Sequence, residues 1–153
     1  MKRIDFTNQI HQIKKIKNKK GYKIGFTCSC FDLFHAGHIK MLQDARNQCD
    51  YLIVGLQTDP TLDRPKKNNP IQSLEERKIQ LEAVKYIDEV IIYNTENDLY
   101  SLVYHIMPDI RILGTDYIDK YFTGIDIEGV DIHFHERNHD YSTSSLREKI
   151  KNI

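Results

Sequence analysis

Apolar positions along this chain follow two rhythms. Phe6, Ile10, Ile13 and Ile16 fall three or four apart. They predict a short amphipathic helix within residues 1–21, with Thr7 as N-cap and Gly21 just past the end. Short, mostly apolar runs then alternate with helical patterns. Residues 22–27, 51–56, 90–93, 110–113 and 131–135 read as strands. Ile39, Leu42, Ala45, Arg46 and Cys49 lie at helical spacing after the first of them. Ser73 and Glu76 form a capping box that opens a helix through about Lys85. A fourth helical stretch, 97–106, stops before Pro108, and a closing helix covers 144–152. This alternation predicts an α/β fold, a Rossmann-like, doubly wound, five-stranded parallel sheet with helices on both faces. Residues 1–153 are expected to form one domain, with 22–153 as its core. In such sheets ligands bind beyond the carboxyl ends of the strands, where strand order reverses.

Composition narrows the function classes. With 40% apolar and 29% charged residues the chain suits a soluble globular protein. A formal net charge of zero gives no general affinity for nucleic acid or anionic membrane. No apolar run of about 18 residues is present, so no membrane span is expected, and no signal peptide leads the chain. Cys28, Cys30 and Cys49 are an odd count without framework spacing, which fits a reducing cytoplasm. Lys14, Lys15, Lys17, Lys19 and Lys20 gather in the last turns of the first helix, where the dipole favours cations. A membrane-surface role for that helix is the alternative, and its apolar stripe is thin for it.

Candidate chemistry sits where the first strand hands over to its helix. His35 and His38 flank Gly37 there. Unpaired N–H groups and the dipole at a helix start favour an anion, and a glycine lets a ligand approach the backbone. A second cluster lies near the other end. Arg137 suits bidentate contact with phosphate, and Ser142, Thr143 and Ser144 open the last helix as caps or anion ligands. Between them, residues 60–70 form a polar loop with Arg64, Lys66 and Lys67. His133 and His135 share one face of a strand and are expected to be ordinary strand residues rather than metal ligands.

Cys30-Phe-Asp-Leu-Phe-His-Ala-Gly-His38 resembles the H-x-G-H signature of the cytidylyltransferase-like nucleotidyltransferases. Arg137-Asn-His-Asp-Tyr-Ser-Thr-Ser144 resembles that family's second signature. The resemblance runs from about Tyr22 to Ile150 and comes closest to the glycerol-3-phosphate cytidylyltransferases. It implies attack of a substrate phosphate on the α-phosphorus of a nucleoside triphosphate, with pyrophosphate leaving. It assigns catalysis to His35, His38 and Arg137. Nucleotide binding falls to Cys30, Phe31, Gly37, His38, Gly114, Asp116, Arg137, Tyr141, Ser142, Thr143 and Ser144. The acceptor phosphate falls to Asp32, Arg64, Lys66, Lys67, Arg77, Lys85 and Tyr117, although Asp32 could instead orient its turn. Mg²⁺ is implied, held mainly by the triphosphate and water, and relatives are commonly homodimers. The first expectation is CTP with a polyol phosphate such as glycerol 3-phosphate, giving a CDP-alcohol.

Two other readings stand beside it. Pro70-Ile-Gln-Ser-Leu-Glu-Glu-Arg77 and Gly114-Thr-Asp-Tyr117 resemble the adenylyltransferase branch that makes ADP-heptose at least as well. A nucleotide-binding regulatory module is raised by Ser29, which stands where the family has glycine. Intact His35, His38 and Arg137 argue against that module. Pro65 occupies the place of a phosphate-binding lysine in the glycerol-3-phosphate enzymes, which weakens the polyol assignment.

Overall fold

The computed structural model describes residues 3–153. The chain runs α1 (Thr7–Lys20), β1 (Ile24–Ser29), α2 (Ala36–Asn47), β2 (Tyr51–Gln57), α3 (Leu74–Glu82), β3 (Glu89–Tyr93), α4 (Glu96–Ile106), β4 (Ile110–Gly114), β5 (Asp131–His135) and α5 (Thr143–Lys151). Short 3-10 turns lie at Pro60–Leu62 and Thr115–Tyr117. All five strands are parallel and lie in the order β3-β2-β1-β4-β5. The chain therefore turns one way after β1 and the other way after β4. The crevice between their carboxyl ends is the switch point where such sheets take ligands.

Two apolar layers hold the helices to the sheet. On one face Phe6 at the start of α1, Ile13 within it, and Leu99, Leu102, Val103 and Ile106 of α4 pack on Ile24, Phe26, Ile53 and Ile91. On the other, Leu42 and Ala45 of α2 and Leu81 of α3 pack on Leu52, Val54, Leu56, Ile110 and Ile112. Burying a side chain of this size contributes about 2 kcal/mol. Phe6 and Ile13 are 6% and 1% exposed, so the apolar stripe of α1 is taken up by the core. Lys17 completes the attachment through an ion pair of 2.9 Å with Asp109. A membrane-surface role for α1 loses its basis, since the face it needs is covered. Among the described residues no helix is long and apolar enough to cross a membrane.

Three local expectations are corrected. Thr7 is the first helical residue and not the cap. Its amide and hydroxyl both turn back to Asp5, and Phe6 at the cap position supplies no side-chain bond. The first strand begins two residues later than expected, because Lys23 bonds the Asp50 carboxylate while Cys28 and Ser29 align with Gly55 and Leu56. The capping-box helix ends at Glu82, so Lys85 lies on the approach to β3.

Candidate active site

The turn joining β1 to α2 carries two non-glycine residues in left-handed conformation, Phe31 at φ 50° and Leu33 at φ 49°. Such residues persist only where the surroundings over-determine them. Here the determinant is Asp32 between them. Its carboxylate is 6% exposed and accepts the amides of Ile71 and Gln72, each at 2.9 Å. It also pairs with Arg147 of α5 at 3.0 Å. Its carbonyl accepts the Thr143 hydroxyl, and Gln72 Oε1 accepts the Leu33 amide. Asp32 thus fastens the turn to residues 71–72 and to α5. Its carboxylate is fully engaged and does not face an acceptor, which corrects that assignment.

Arg77 performs a parallel task from α3. It is 2% exposed, and its guanidinium donates to the carbonyls of Gln72, Cys30, Gln57 and Thr58 at 2.7–3.2 Å. Every branch is occupied by backbone, so Arg77 organises the turn and the end of β2 and holds no phosphate. The same contact bears on Cys30, whose thiol burial pushes up in pKa while the Arg77 charge opposes the shift.

The two histidines cap α2 and each other. The Gly37 amide donates to His35 Nδ1 at 3.0 Å, and the His35 amide donates to His38 Nδ1 at 3.1 Å. Their rings stack with centroids 3.8 Å apart. With both Nδ1 atoms accepting, both neutral rings carry their proton on Nε2. Burial first, then the charges of His35 and Arg137, push His38 down to about 3. Burial, then Arg137 and His139, lower His35. The pair are therefore neutral Nε2–H donors at a helix start.

Arg137 follows β5 and is exposed, and its charge bears on both rings. The two sequence signatures meet at Gly37 as well. A Cβ there would lie 2.9 Å from the Tyr141 carbonyl and 2.8 Å from the His35 ring. The glycine is needed for this approach of chain to chain. Ser142 caps α5 by accepting the Ser145 amide at 3.0 Å. The Thr143 hydroxyl is engaged with Asp32, and Ser144 is exposed. Phe31 is 1% exposed and belongs to the core, so only its backbone can meet a nucleotide. Ser29 Oγ accepts the Phe31 amide at 3.4 Å, a local prop for the strained turn.

Across the strand ends from the histidines lies a cavity of about 470 Å³. Arg64, Lys67, Cys30, Gly114 and Tyr117 of the expected site line it. Arg64 reaches Gln57 Oε1 at 2.8 Å and Glu96 at 3.1 Å. Lys66 is exposed outside the lining. Lys85 is exposed before the amino end of β3, its ammonium over the Tyr86 ring, far from the strand ends that form the site. Its assignment to the acceptor is corrected. Asp116 is exposed beside Gly114, and its carboxylate fills the space a Cβ would need there. His133 and His135 both bond Asp44 of α2, at 3.0 and 2.7 Å. Among the described residues no three His, Cys, Asp or Glu side chains converge as a metal site.

One lining residue was not anticipated. Arg111 of β4 is 2% exposed and reaches the cavity from the middle of an apolar run. A charge inside a strand of a buried parallel sheet was the available signal.

Comparison with known proteins agrees with this geometry. The chain is 36% identical over 153 residues to the bifunctional protein HldE of Campylobacter jejuni subsp. doylei, covering 97% of this chain and 33% of that protein. It is 38% identical over 130 residues to HldE of Helicobacter pylori, covering 84% and 28%. The chain thus spans about a third of the curated relatives it matches. The solved lipopolysaccharide core biosynthesis protein from Thermoplasma volcanium superposes with a TM-score of 0.61 at 25% identity, over 80% of this chain and 100% of that one. Pantothenate synthetase from Thermus thermophilus, at 10% identity and a TM-score of 0.61 over 92% and 68%, shares the fold alone. The cytidylyltransferase-like family profile matches residues 26–149, from β1 through both signatures into α5. The chain belongs to the cytidylyltransferase-like family of nucleotidyltransferases.

Proposed function

We propose that the chain is an adenylyltransferase that joins ATP to a phosphorylated sugar and releases pyrophosphate. One observation carries the reading. Two neutral Nε2–H donors at the start of α2 stand beside the Arg137 charge. The cavity that takes Arg64, Lys67 and Tyr117 opens on the same strand ends. The triphosphate would lie on the histidine side of the switch point and the acceptor in the cavity. The acceptor phosphate would then be held for in-line attack on the α-phosphorus. His35 and His38 donate to phosphoryl oxygens whose charge grows in the transition state, and Arg137 grips them with its planar fork. None of these groups has to form a covalent bond.

Three points favour ATP and a sugar over the first expectation, CTP and glycerol 3-phosphate. The cavity is larger than a three-carbon acceptor fills, and the half-buried Tyr117 and exposed Tyr121 line it with aromatic rings suited to a sugar. The segments 70–77 and 114–117 resemble the ADP-heptose branch. A solved relative at 25% identity is a lipopolysaccharide core biosynthesis protein. Mg²⁺ would be carried by the triphosphate and water, since the described residues offer no ligand cluster of their own. It would offset the triphosphate charge. A homodimer in the cytoplasm remains part of the proposal. The test is pyrophosphate release with ATP or CTP across sugar phosphates and glycerol 3-phosphate. ATP with a sugar phosphate should exceed every CTP combination, and the reverse order would overturn the reading.

A further inference from the structure

Four charged side chains line the cavity: Arg64, Lys67, Glu96 and Arg111. Glu96 is fully engaged, pairing with Arg64 at 3.1 Å and accepting the Thr123 hydroxyl at 2.8 Å. Arg111 has no such partner. None of the ion pairs among the described residues includes it. Its Nη1 donates to the Thr123 carbonyl. Its Nη2 meets only the Cys28 sulfur at 4.0 Å, and its Nε has no partner. The Phe122 ring lies 5.2 Å from the guanidinium carbon. A guanidinium keeps its charge at any physiological pH, so this is a buried cation without an anion. Such a charge is costly unless something completes it.

Position says which part of a ligand would do so. Arg111 aligns with Phe26, three residues before Gly114 at the end of β4. At about 3.3 Å per residue its backbone lies about 10 Å below the rim. Phe122 and Gly124 cover it, and Gly124 in turn neighbours Val103 of α4. His35 and His38 head α2, which packs on the opposite face of the sheet. The histidines thus approach the strand ends from the α2 side, and Arg111 from the α4 side.

We propose that Arg111 is a specificity residue that binds a second anionic group of the acceptor, at the end away from its reacting phosphate. This rests on the reading of the cavity as the acceptor pocket. The acceptor is then a sugar phosphate that also carries a carboxylate or a second phosphate.

The experiment is calorimetric binding to the full chain without nucleotide, so it does not depend on which triphosphate is the donor. The probes share one ring and differ at C6: glucose 1-phosphate, glucuronic acid 1-phosphate and glucose 1,6-bisphosphate. One of the two acidic probes should bind at least about tenfold tighter than glucose 1-phosphate, and which one separates carboxylate from phosphate. Arg111→Met should bring that ratio near one, and Arg111→Lys should keep part of it. Equal affinity of the wild-type chain for the three probes, no binding of any, or an unchanged ratio in Arg111→Met would overturn the proposal. Adenylyl transfer to glucose 1-phosphate with no acidic preference would sink this inference and leave the proposed reaction standing.

Discussion

The amide of His35 donates to Nδ1 of His38 at 3.1 Å, while His35 Nδ1 accepts the Gly37 amide at 3.0 Å. This reciprocal cap fixes both rings with their Nε2–H groups free to donate. The histidines are therefore structural and chemical at once. His38→Ala should lower kcat by at least a hundredfold, because its interaction grows in the transition state. It should also cost about 1 kcal/mol of stability through the lost cap. Steady-state kinetics and urea unfolding of the same preparation check both. Near-normal turnover with only the stability loss would leave the histidines purely structural.

Stability should depend on pH through the same pair. His38 titrates at about 3 in the folded chain against 6.5 for the free side chain. Between those values the unfolded chain takes up a proton that the folded chain refuses. Stability is therefore lost as pH falls below about 6.5, at about 1.4 kcal/mol per pH unit. The lowered pKa of His35 acts in the same direction. Urea midpoints between pH 7 and 5, above the range where carboxylates dominate, should fall in the wild type and fall less steeply in His38→Ala, where His35 and His139 still contribute. A parallel fall in both proteins would contradict the assignment.

Arg77 should matter to the fold before it matters to substrate. Its four carbonyl partners lie in three segments of chain, and removal leaves them buried without donors. Arg77→Met should destabilise by about 3 kcal/mol or more. Urea denaturation tests this. A variant of wild-type stability with a raised KM for acceptor would restore Arg77 to the substrate.

Arg137→Lys should reduce kcat/KM by about 10- to 150-fold although the charge stays, because the planar fork is lost. Arg147 cannot serve as the control for this swap, because its ion pair with Asp32 ties it to the turn before α2. Arg3 is exposed and serves instead. Equal kinetic effects of Arg137→Lys and Arg3→Lys would break the role given to the second signature.

What the sequence showed and what it hid divide along physical lines. Strand β5 is found where its residues predicted, and the capping box of Ser73 and Glu76 forms with both bonds, 3.1 and 2.7 Å. These depend on local pattern. The sheet and its helices were legible from alternation, and the convergence of the two signatures followed from parallel topology. The buried charges were not. Arg77 stands between Leu74 and Leu81 on the inward stripe of its helix, yet no local pattern says that a charge there bonds backbone carbonyls rather than a phosphate. Arg147 finds Asp32 across 115 residues of chain, a contact no local pattern encodes. Arg111 alone left a trace, as a cation inside an apolar strand.

The most direct measurement is the product itself. Incubating the chain with ATP, Mg²⁺ and a sugar 1-phosphate and following ³¹P resonances should show a nucleoside diphosphate sugar appear together with pyrophosphate. The same mixture with His38→Ala should show neither. Formation of a CDP-alcohol from CTP and glycerol 3-phosphate in preference to any ADP-sugar, or release of AMP with no sugar product, would contradict the account.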